Sequence, residues 1–166
     1  GPLTGITVVE FADYVTGPYA AVLLADLGAR VIKLEAPGHG DPFRGWGEGG
    51  YSPTFCSVNR GKESVALDLR VPAAQEVARA LVARADVFIE NHRPGVAERL
   101  GLGYERLRAQ NPRLVYCSIS GFGQEGPYRE RPGYDTIGQA LGGLLSLLTD
   151  WEQPRAMGIS LSDHLA

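Results

Sequence analysis

The chain has 166 residues, of which 44% are hydrophobic and 21% are charged, so it can bury one sizeable core and a single globular domain is expected. Its formal net charge of -3 excludes the strongly basic field that draws a protein to nucleic acid or to an anionic membrane surface. Two cysteines are too few for a disulfide framework, no Cys and His spacing is typical of a metal site, and no apolar run could span a bilayer. The composition favours a cytoplasmic protein without a metal, a nucleic-acid partner or a membrane anchor.

Apolar runs rich in β-branched residues recur along the chain and predict buried strands. They lie at residues 6–12, 30–36, 64–69, 87–91 and 114–120. Helical patterns lie between or after them, at residues 18–29, 72–85, 96–110 and 134–150. This alternation predicts an α/β fold, with a parallel sheet and helices on both of its faces.

One segment interrupts the alternation. Residues 38–60 are rich in glycine, and loops of this length in a compact domain are usually functional or mobile. The segment also carries four aromatic residues, Phe43, Trp46, Tyr51 and Phe55.

The carboxyl-terminal part of the chain has two unusual features. The predicted helix 134–150 has Gly142 and Gly143 in its middle, each costing about 1 kcal/mol relative to alanine, which predicts a close approach by another group. Ser160 and Ser162 are both candidates for the N-cap of a last helix. That helix stops before it could bury a face, so the chain is expected to be a fragment of a longer protein.

A dinucleotide-binding fingerprint is absent, because the first strand runs into DYVTGP, with Gly17 as its one glycine, instead of into G-x-G-x-x-G. A parallel sheet still binds ligands at the carboxyl ends of its strands. The segments at those ends are DYVTGP, APGHGD, LRVP, NHRPG and SGFGQEGPY.

NHRPG, at residues 91–95, is the most specific of these segments. It ends a strand with polar side chains just before a helix, whose N-terminus favours an anion. Three further cations suit a ligand with phosphates: Lys62, Arg70 and Arg99. The alternatives are solvated surface positions for Arg93 and Arg99, a turn-forming role for Asn91 and a structural role for His92.

Asp163, in AMGISLSDHLA, is either a covalent nucleophile or a residue at a helix start. It does not form a hydrolase triad with His164, because consecutive residues at a helix start point in different directions and no G-x-S-x-G motif occurs. Cys56 and Cys117 are predicted to be small buried hydrophobic residues.

Five ordered blocks of the sequence resemble the family III CoA-transferases, which include formyl-CoA transferase, carnitine CoA-transferase and alpha-methylacyl-CoA racemase. The blocks are LTGITVVEFADYVTGPYAAVLLADLGARVIKLEAPGHGDPFR, NRGKESVALDL, ADVFIENHRPGVAERLGL, LVYCSISGFGQEGPY and RPGYDTIGQALGG. The resemblance implies that residues 1–166 are the amino-terminal part of a large, Rossmann-like CoA-binding domain. It also implies that a small domain and the remainder of the chain are absent here, and that two full-length subunits form an interlocked homodimer.

The resemblance assigns the catalytic role to Asp163. In these transferases a catalytic aspartate lies five residues after a glycine, and Asp163 lies five residues after Gly158. The implied reaction moves CoA from an acyl-CoA to a carboxylic acid, expected to be a small dicarboxylate, through an aspartyl anhydride and an aspartyl-CoA thioester. Coenzyme A enters as acyl-CoA substrate, no cofactor is tightly bound, and backbone N–H groups near Asp163 are expected to stabilise the oxyanion. The fragment alone is expected to be inactive.

The resemblance also assigns the contacts to coenzyme A. They fall after the first four strands, at Val15, Thr16, Ala36, Leu67, Arg70, Asn91, His92 and Arg99. Formyl-CoA transferase has a glutamine in place of Val15, an arginine in place of Ala36 and a histidine in place of Asp13. These departures argue against formate and oxalate as substrates.

Tyr134 and Asp135 are assigned to substrate positioning. The racemases of the family carry an acid/base histidine where Tyr134 stands, and a phenol is a poor base at neutral pH, so transfer is favoured over racemisation. Asp135 either positions the acyl group or caps a helix. Two alternatives to the transferase stay open: a 2-methylacyl-CoA racemase, and a CoA-binding module without turnover.

Overall fold

Five parallel strands form the sheet of this protein, in the order β3-β2-β1-β4-β5. In the computed structural model, which describes residues 1–47, 52–150 and 152–166, the strands are β1 (Thr7–Phe11), β2 (Arg30–Glu35), β3 (Glu63–Ala66), β4 (Val87–Glu90) and β5 (Val115–Ser118). The predicted parallel α/β sheet is confirmed. The third strand ends three residues earlier than predicted, at Ala66.

Eight α-helices accompany the sheet in the part of the chain that the structure describes. They are α1 (Thr16–Asp26), α2 (Pro53–Asn59), α3 (Pro72–Val82), α4 (Val96–Arg99), α5 (Tyr104–Gln110), α6 (Asp135–Leu141), α7 (Leu144–Leu148) and α8 (Leu161–Leu165). Contacts divide the chain into two units, Gly1–Ile119, which holds the sheet, and Ser120–Ala166.

Alternation along the strands sends apolar side chains to both faces of the sheet. On β1, Val8 packs in a cluster with Ala21 of α1, while Val9 packs in a second cluster with Ala78 of α3 and Leu107 of α5. Both valines are fully buried. Helices therefore cover both faces, as the sequence predicts.

The predicted helix at residues 96–110 is wrong, because it is two helices. Gly101 adopts a left-handed φ of 75° between α4 and α5. The break turns Leu102 into the core, where it is fully buried. Burying a leucine side chain is worth about 2 kcal/mol, which exceeds the gain from continuing the helix through two glycines.

The predicted helix at residues 134–150 is also two helices, α6 and α7. Gly143 has a φ of 78°, and a Cβ placed there would meet nothing within 4 Å. The predicted close approach is therefore wrong at Gly143, where glycine is required by the backbone conformation. At Gly142, the other glycine of the pair, a Cβ would lie 3.0 Å from the carbonyl oxygen of Gly138, so a close approach is present there. Another occurs in the same unit, since a Cβ on Gly121 would lie 2.4 Å from the Cα of Gly133.

The glycine-rich segment 38–60 contains regular structure. Asp41 caps a 3₁₀ turn at Pro42–Gly45, and the Ser52 side chain caps α2. Tyr51 lies outside the described residues. Cys56 and Cys117 are exposed, so the prediction that they are buried is wrong. No helix among the described residues has the length and apolar character needed to cross a membrane.

Candidate functional site

The turn between β1 and α1, at residues 12–15, lies where the chain order of the sheet reverses, between β1 and β4. Asn91, at the end of β4, holds this turn from across the crevice. Its Oδ1 accepts a hydrogen bond from the Asp13 N–H at 2.9 Å, and its Nδ2 donates to the Asp13 carbonyl at 2.7 Å. Gly17 permits the close packing, because a Cβ there would lie 3.4 Å from Asn91 Cγ and 2.4 Å from Ala12 Cβ.

A buried charge network, formed by Glu10, Lys33, Asp41 and Lys62, supports the same turn from below. Lys33 is 1% exposed, and its Nζ lies 2.6 Å from Glu10 Oε1, 3.0 Å from Asp41 Oδ2 and 2.5 Å from the carbonyl oxygen of Ala12. Burial alone would lower the pKa of Lys33, but the charges of Glu10 and Asp41 raise it. The network therefore holds a charged ammonium under the turn.

Lys62 completes the buried charge network and does not face a ligand. Its Nζ lies 2.6 Å from Glu10 Oε2 and donates to the Pro18 carbonyl at 2.8 Å and to Asn59 Oδ1 at 3.0 Å. Burial lowers its pKa to about 8, against the charge of Glu10. The interpretation of Lys62 as a phosphate-binding cation is therefore replaced by a structural role.

Asp41 ties the 3₁₀ turn to the β1–α1 turn. Its Oδ1 accepts hydrogen bonds from the Tyr14 N–H at 3.2 Å and the Phe43 N–H at 2.9 Å. Tyr14 has a φ of 64°, a left-handed conformation that costs a non-glycine residue about 1 to 2 kcal/mol. The bonds from Asp41 and Asn91 stabilise that strained backbone.

Glu35, at the end of β2, orders the segment that follows it. Burial alone would raise its pKa, but hydrogen bonds from Arg44, the Asp41 N–H and Ser64 lower it to about 2. Arg44 donates to both carboxylate oxygens at 2.7 Å. The sequence signal for this arrangement is the charged residues inside otherwise apolar strands, Glu10, Lys33 and Glu35, which sequence reasoning did not use.

Asp13 carries an unusual protonation equilibrium in this turn. Burial, and after it the charge of Asp41, raises the pKa of Asp13 from 3.8 to about 6, although Lys33 opposes the shift. The folded state therefore binds this proton more tightly than the unfolded state does. The free-energy cost of holding the ionised Asp13 carboxylate in the folded protein is absent below the pKa of Asp13 in the unfolded state. This cost grows as the pH rises through about 6 and is fully present above it.

Asp13→Asn is expected to raise the free energy of unfolding at pH 7.5 by on the order of 2 kcal/mol, because the amide carries no charge to desolvate. The gain should vanish below about pH 4, where Asp13 is neutral in both states. Urea unfolding across this pH range measures the difference, with Asp26→Asn, at an exposed ion pair, as the matched control. An equal gain at pH 3 and pH 7.5 would contradict the raised pKa.

The structure places the predicted coenzyme A contacts along the carboxyl ends of the strands. Val15 is 4% exposed and precedes α1, which Thr16 opens, while Ala36 follows β2 and Asn91 and His92 follow β4. Of these, the structure brings the turn preceding Val15 together with Asn91. Leu67 follows β3 and packs against the core, and its N–H donates to the Glu35 carbonyl at 2.9 Å.

The two arginines of the set differ in what surrounds them. Arg70 is exposed and forms a bidentate pair with Asp68, with both bonds at 2.8 Å. Arg99 folds back over NHRPG, since a Cβ on Gly95 would lie 3.2 Å from Arg99 Nη1. Both guanidinium groups keep a positive charge at the surface, which a phosphate can approach.

His92 carries no positive charge at neutral pH. Its ring packs on Phe11 with centroids 4.1 Å apart, and its backbone N–H donates to Glu90 Oε2 at 2.9 Å. Burial, followed by the charge of Lys33, lowers its pKa to about 4. Among the described residues His92 Nε2 has no hydrogen-bond partner. His92 therefore presents a neutral ring at the end of β4.

Asp163 lies in the second unit, on α8. Ser160 is the N-cap residue, as one of the two sequence predictions has it, but its side chain makes no capping hydrogen bond. Asp135 Oδ1 instead accepts from the Ser162 N–H at 2.7 Å and from the Asp163 N–H at 3.2 Å. The expected oxyanion donors at this helix start are therefore already bound to Asp135. Tyr134 is 65% exposed.

No group of three or more His, Cys, Asp or Glu side chains within residues 1–47, 52–150 and 152–166 is arranged to hold a metal ion. The chemistry available from these residues is that of a carboxylate at a helix start in one unit and, in the other, of backbone turns and exposed arginines that follow the strands.

A family model described as CoA-transferase family III matches residues 3–166 of this chain. The chain is 47% identical over 167 residues to an acetyl-CoA:oxalate CoA-transferase of Acetobacter aceti, covering 98% of this chain and 43% of the relative. It is 43% identical over 169 residues to a succinyl-CoA–D-citramalate CoA-transferase of Chloroflexus aurantiacus, covering 99% and 42%. It is 40% identical over 166 residues to the succinyl-CoA:glutarate CoA-transferase of Homo sapiens, covering 98% and 38%. The chain spans less than half the length of these relatives.

Two solved structures match the fold closely. A CAIB/BAIF family protein from Brucella suis has a TM-score of 0.92 and 45% identity, over 98% of this chain and 45% of that chain. A hypothetical protein from Mycobacterium tuberculosis has a TM-score of 0.88 and 39% identity, over 99% of this chain and 45% of that chain. These matches agree with the parallel α/β sheet described above.

Proposed function

Because this chain belongs to CoA-transferase family III, we propose that the full-length protein moves coenzyme A from an acyl-CoA to a carboxylic acid. The match of residues 3–166 to the family model carries the proposal, together with relatives that are named for three different CoA transfers. Since the chain spans less than half of those relatives, we propose that residues 1–166 by themselves do not turn over.

Asp163 is the nucleophile in the proposed reaction. Its carboxylate oxygen attacks the thioester carbonyl and forms a mixed anhydride, while the carbon–sulfur bond breaks and CoA leaves as a thiolate. The thiolate then attacks the aspartyl carbonyl and releases the donor acid, leaving an aspartyl-CoA thioester. The acceptor carboxylate enters by the same two steps in reverse, which regenerates the Asp163 carboxylate. No net proton or external energy source is needed, because one thioester replaces another.

The acceptor is proposed to be a small dicarboxylic acid and the donor a short-chain acyl-CoA. The relatives are named for oxalate, citramalate and glutarate, each of which carries two carboxyl groups. Val15 and Ala36 argue against oxalate by comparison with formyl-CoA transferase, yet the Acetobacter relative is named for it. Oxalate therefore belongs in the acceptor panel beside the longer dicarboxylates.

Coenzyme A is proposed to bind at the carboxyl ends of the strands, near Val15, Thr16, Ala36, Leu67 and Asn91. Arg70 and Arg99 support the proposal, because they keep exposed cations that suit phosphates. His92 is proposed to contribute a neutral packing surface.

Trapping the covalent intermediate tests the proposal. The full-length protein is incubated with acyl-CoA and then with hydroxylamine, whose nitrogen attacks the aspartyl carbonyl and releases the CoA thiol. Peptide mass spectrometry is expected to find the hydroxamate on the peptide that contains Asp163 and to leave the peptide with Asp150 unmodified. Modification elsewhere, or none in an actively transferring enzyme, would contradict the nucleophile assignment.

Proton exchange separates the transferase from a racemase. A racemase must remove the proton beside the thioester carbonyl, whereas the proposed transfer leaves that bond intact. With Tyr134 in place of the acid/base histidine, a branched acyl-CoA in deuterated solvent is expected to gain no deuterium in the absence of an acceptor acid. Deuterium incorporation beside the thioester carbonyl at a rate comparable to CoA transfer would contradict the proposal and favour the racemase.

The family resemblance also supports two proposals about the full-length protein. We propose that it is an interlocked homodimer, and that it has a separate small domain. The low cysteine count, rather than the resemblance, supports a third proposal, that the protein is cytoplasmic. Its mass in solution tests the dimer, since a monomer at micromolar concentration would exclude it.

A further inference from the structure

Asp135 and Gln139 lie one turn apart on α6, and both side chains are directed at the segment that carries Asp163. Residues four apart on a helix share a face, so their side chains can act on one target. That target is the first turn of α8 and the two residues before it, Ile159 to Asp163.

Asp135 performs the capping that Ser160 does not. The N–H groups in the first turn of a helix lack partners within the helix. Asp135 Oδ1 accepts from two of them, the Ser162 N–H at 2.7 Å and the Asp163 N–H at 3.2 Å. The carboxylate from α6 therefore stabilises the backbone that carries the nucleophile.

Gln139 orients Asp135. It is 1% exposed, and its Nε2 donates to Asp135 Oδ2 and to the Ile159 carbonyl at 3.2 Å. Both partners are acceptors, which fixes which end of the amide is the nitrogen. Among the described residues Gln139 Oε1 has no hydrogen-bond partner. A buried unpaired acceptor costs about 1 to 3 kcal/mol, so the amide is kept here at the expense of stability.

Gly138 allows α6 to approach this turn. A Cβ at position 138 would lie 3.2 Å from both Cβ and Oγ of Ser162, tighter than ordinary van der Waals contact. The hydrogen bond to Asp135 and the absence of a side chain at Gly138 therefore both determine the position of Ser162, which directly precedes Asp163.

We propose that Asp135, oriented by Gln139, is a positioning residue for the Asp163 nucleophile. This inference rests on the proposed function. It selects one of the two roles that the sequence left open for Asp135, namely capping a helix rather than positioning the acyl group, and the helix it caps is α8. Because the Asp163 N–H is bound to Asp135, oxyanion stabilisation is proposed to come from other donors of the full-length protein.

Steady-state kinetics of full-length variants test the inference. Asp135→Ala is expected to lower kcat by about 10- to 100-fold through misplacement of the nucleophile, with KM for acyl-CoA within about 2-fold. Asp135→Asn keeps one carbonyl oxygen for the N–H groups and should recover to within about 10-fold of wild type. Glu130→Gln, at an exposed ion pair in the same unit, is the matched control and should not change kcat.

Gly138→Ala provides a second route that leaves both polar side chains in place. The added methyl should displace Ser162 and lower kcat by a few fold, and Ser162→Gly in the same protein should restore it, because the two contacted atoms are then gone. If Asp135→Ala does not fold, the kcat of Gly138→Ala, with and without Ser162→Gly, tests whether the contact of α6 with the start of α8 controls turnover.

The two proposals fail in different ways. An unchanged kcat in Asp135→Ala, or a rise in KM without a fall in kcat, would overturn the positioning role, even while wild type still yields the hydroxamate at Asp163. Absence of that hydroxamate in wild type would instead overturn the proposed mechanism.

Discussion

Asp163→Ala in the full-length protein is expected to lower CoA transfer by about 10³-fold or more, because the variant has no carboxylate to form the anhydride or the aspartyl thioester. Binding of CoA should change by less than about 3-fold, since the proposed contacts to coenzyme A lie in residues 15–99, outside α8. Initial rates with saturating donor and acceptor, together with calorimetric titration of CoA, measure the two quantities.

Two comparisons make this result specific to the nucleophile. Asp163→Asn preserves shape and should be about as inactive as Asp163→Ala, because an amide is a poor nucleophile. Asp150→Asn changes a carboxylate of the same unit that accepts from the Glu152 N–H, and should transfer at the wild-type rate. Turnover near the wild-type rate in Asp163→Ala would show that Asp163 is not the nucleophile and is only a residue at a helix start.

Lys33→Met is expected to cost about 3 to 5 kcal/mol of stability in the sheet. The side chain fits the same space, but Glu10 and Asp41, both 0% exposed, lose the ammonium that lies 2.6 and 3.0 Å from their oxygens. The Ala12 carbonyl also loses its donor, which should loosen the β1–α1 turn. Hydrogen exchange of the amides in β1 and β2 of the full-length protein measures the loss as local unfolding free energy.

An exposed ion pair on the same strand gives the matched control. Arg30 forms a pair with Glu63 whose side chains are 60% and 54% exposed, so Arg30→Met should have little effect on stability. Combining Lys33→Met with Asp41→Asn should recover part of the loss, because Asp41 then carries no unpaired buried charge while Glu10 keeps Lys62 at 2.6 Å. A similar loss of unfolding free energy in Lys33→Met and in Arg30→Met would show that burial does not determine how much the ion pairs of Lys33 contribute to stability.

The Asp135 contacts change how the helix start at Asp163 is understood. The sequence predicted that backbone N–H groups there would stabilise an oxyanion, but the Ser162 and Asp163 N–H groups donate to Asp135. A carboxylate in that position stabilises the helix start and adds negative charge beside it. The helix start is therefore built to hold Asp163 in place.

The sequence pattern was sufficient to predict the sheet and the family. It failed to predict the helix boundaries where tertiary packing or a left-handed glycine determines the backbone conformation. Period and β-branched content identified the strands, because strand burial repeats within a few residues. The same reasoning merged α4 with α5 and α6 with α7. In the first case burial of Leu102, a contact with residues distant in the chain, outweighed helix continuity. In the second, the left-handed Gly143 separates the two helices.

The sequence by itself determined the α/β class, the membership in the transferase family and the candidacy of Asp163, because each depends on residues close together or on blocks in order. Only the tertiary structure decided what holds the candidate groups. Asn91 and Asp13 are separated by 78 positions, and Asp135 and Ser162 by 27. A side chain's partners depend on which strands and helices become neighbours, so the turning inward of Lys62 and the binding of Asp135 to α8 required the folded chain.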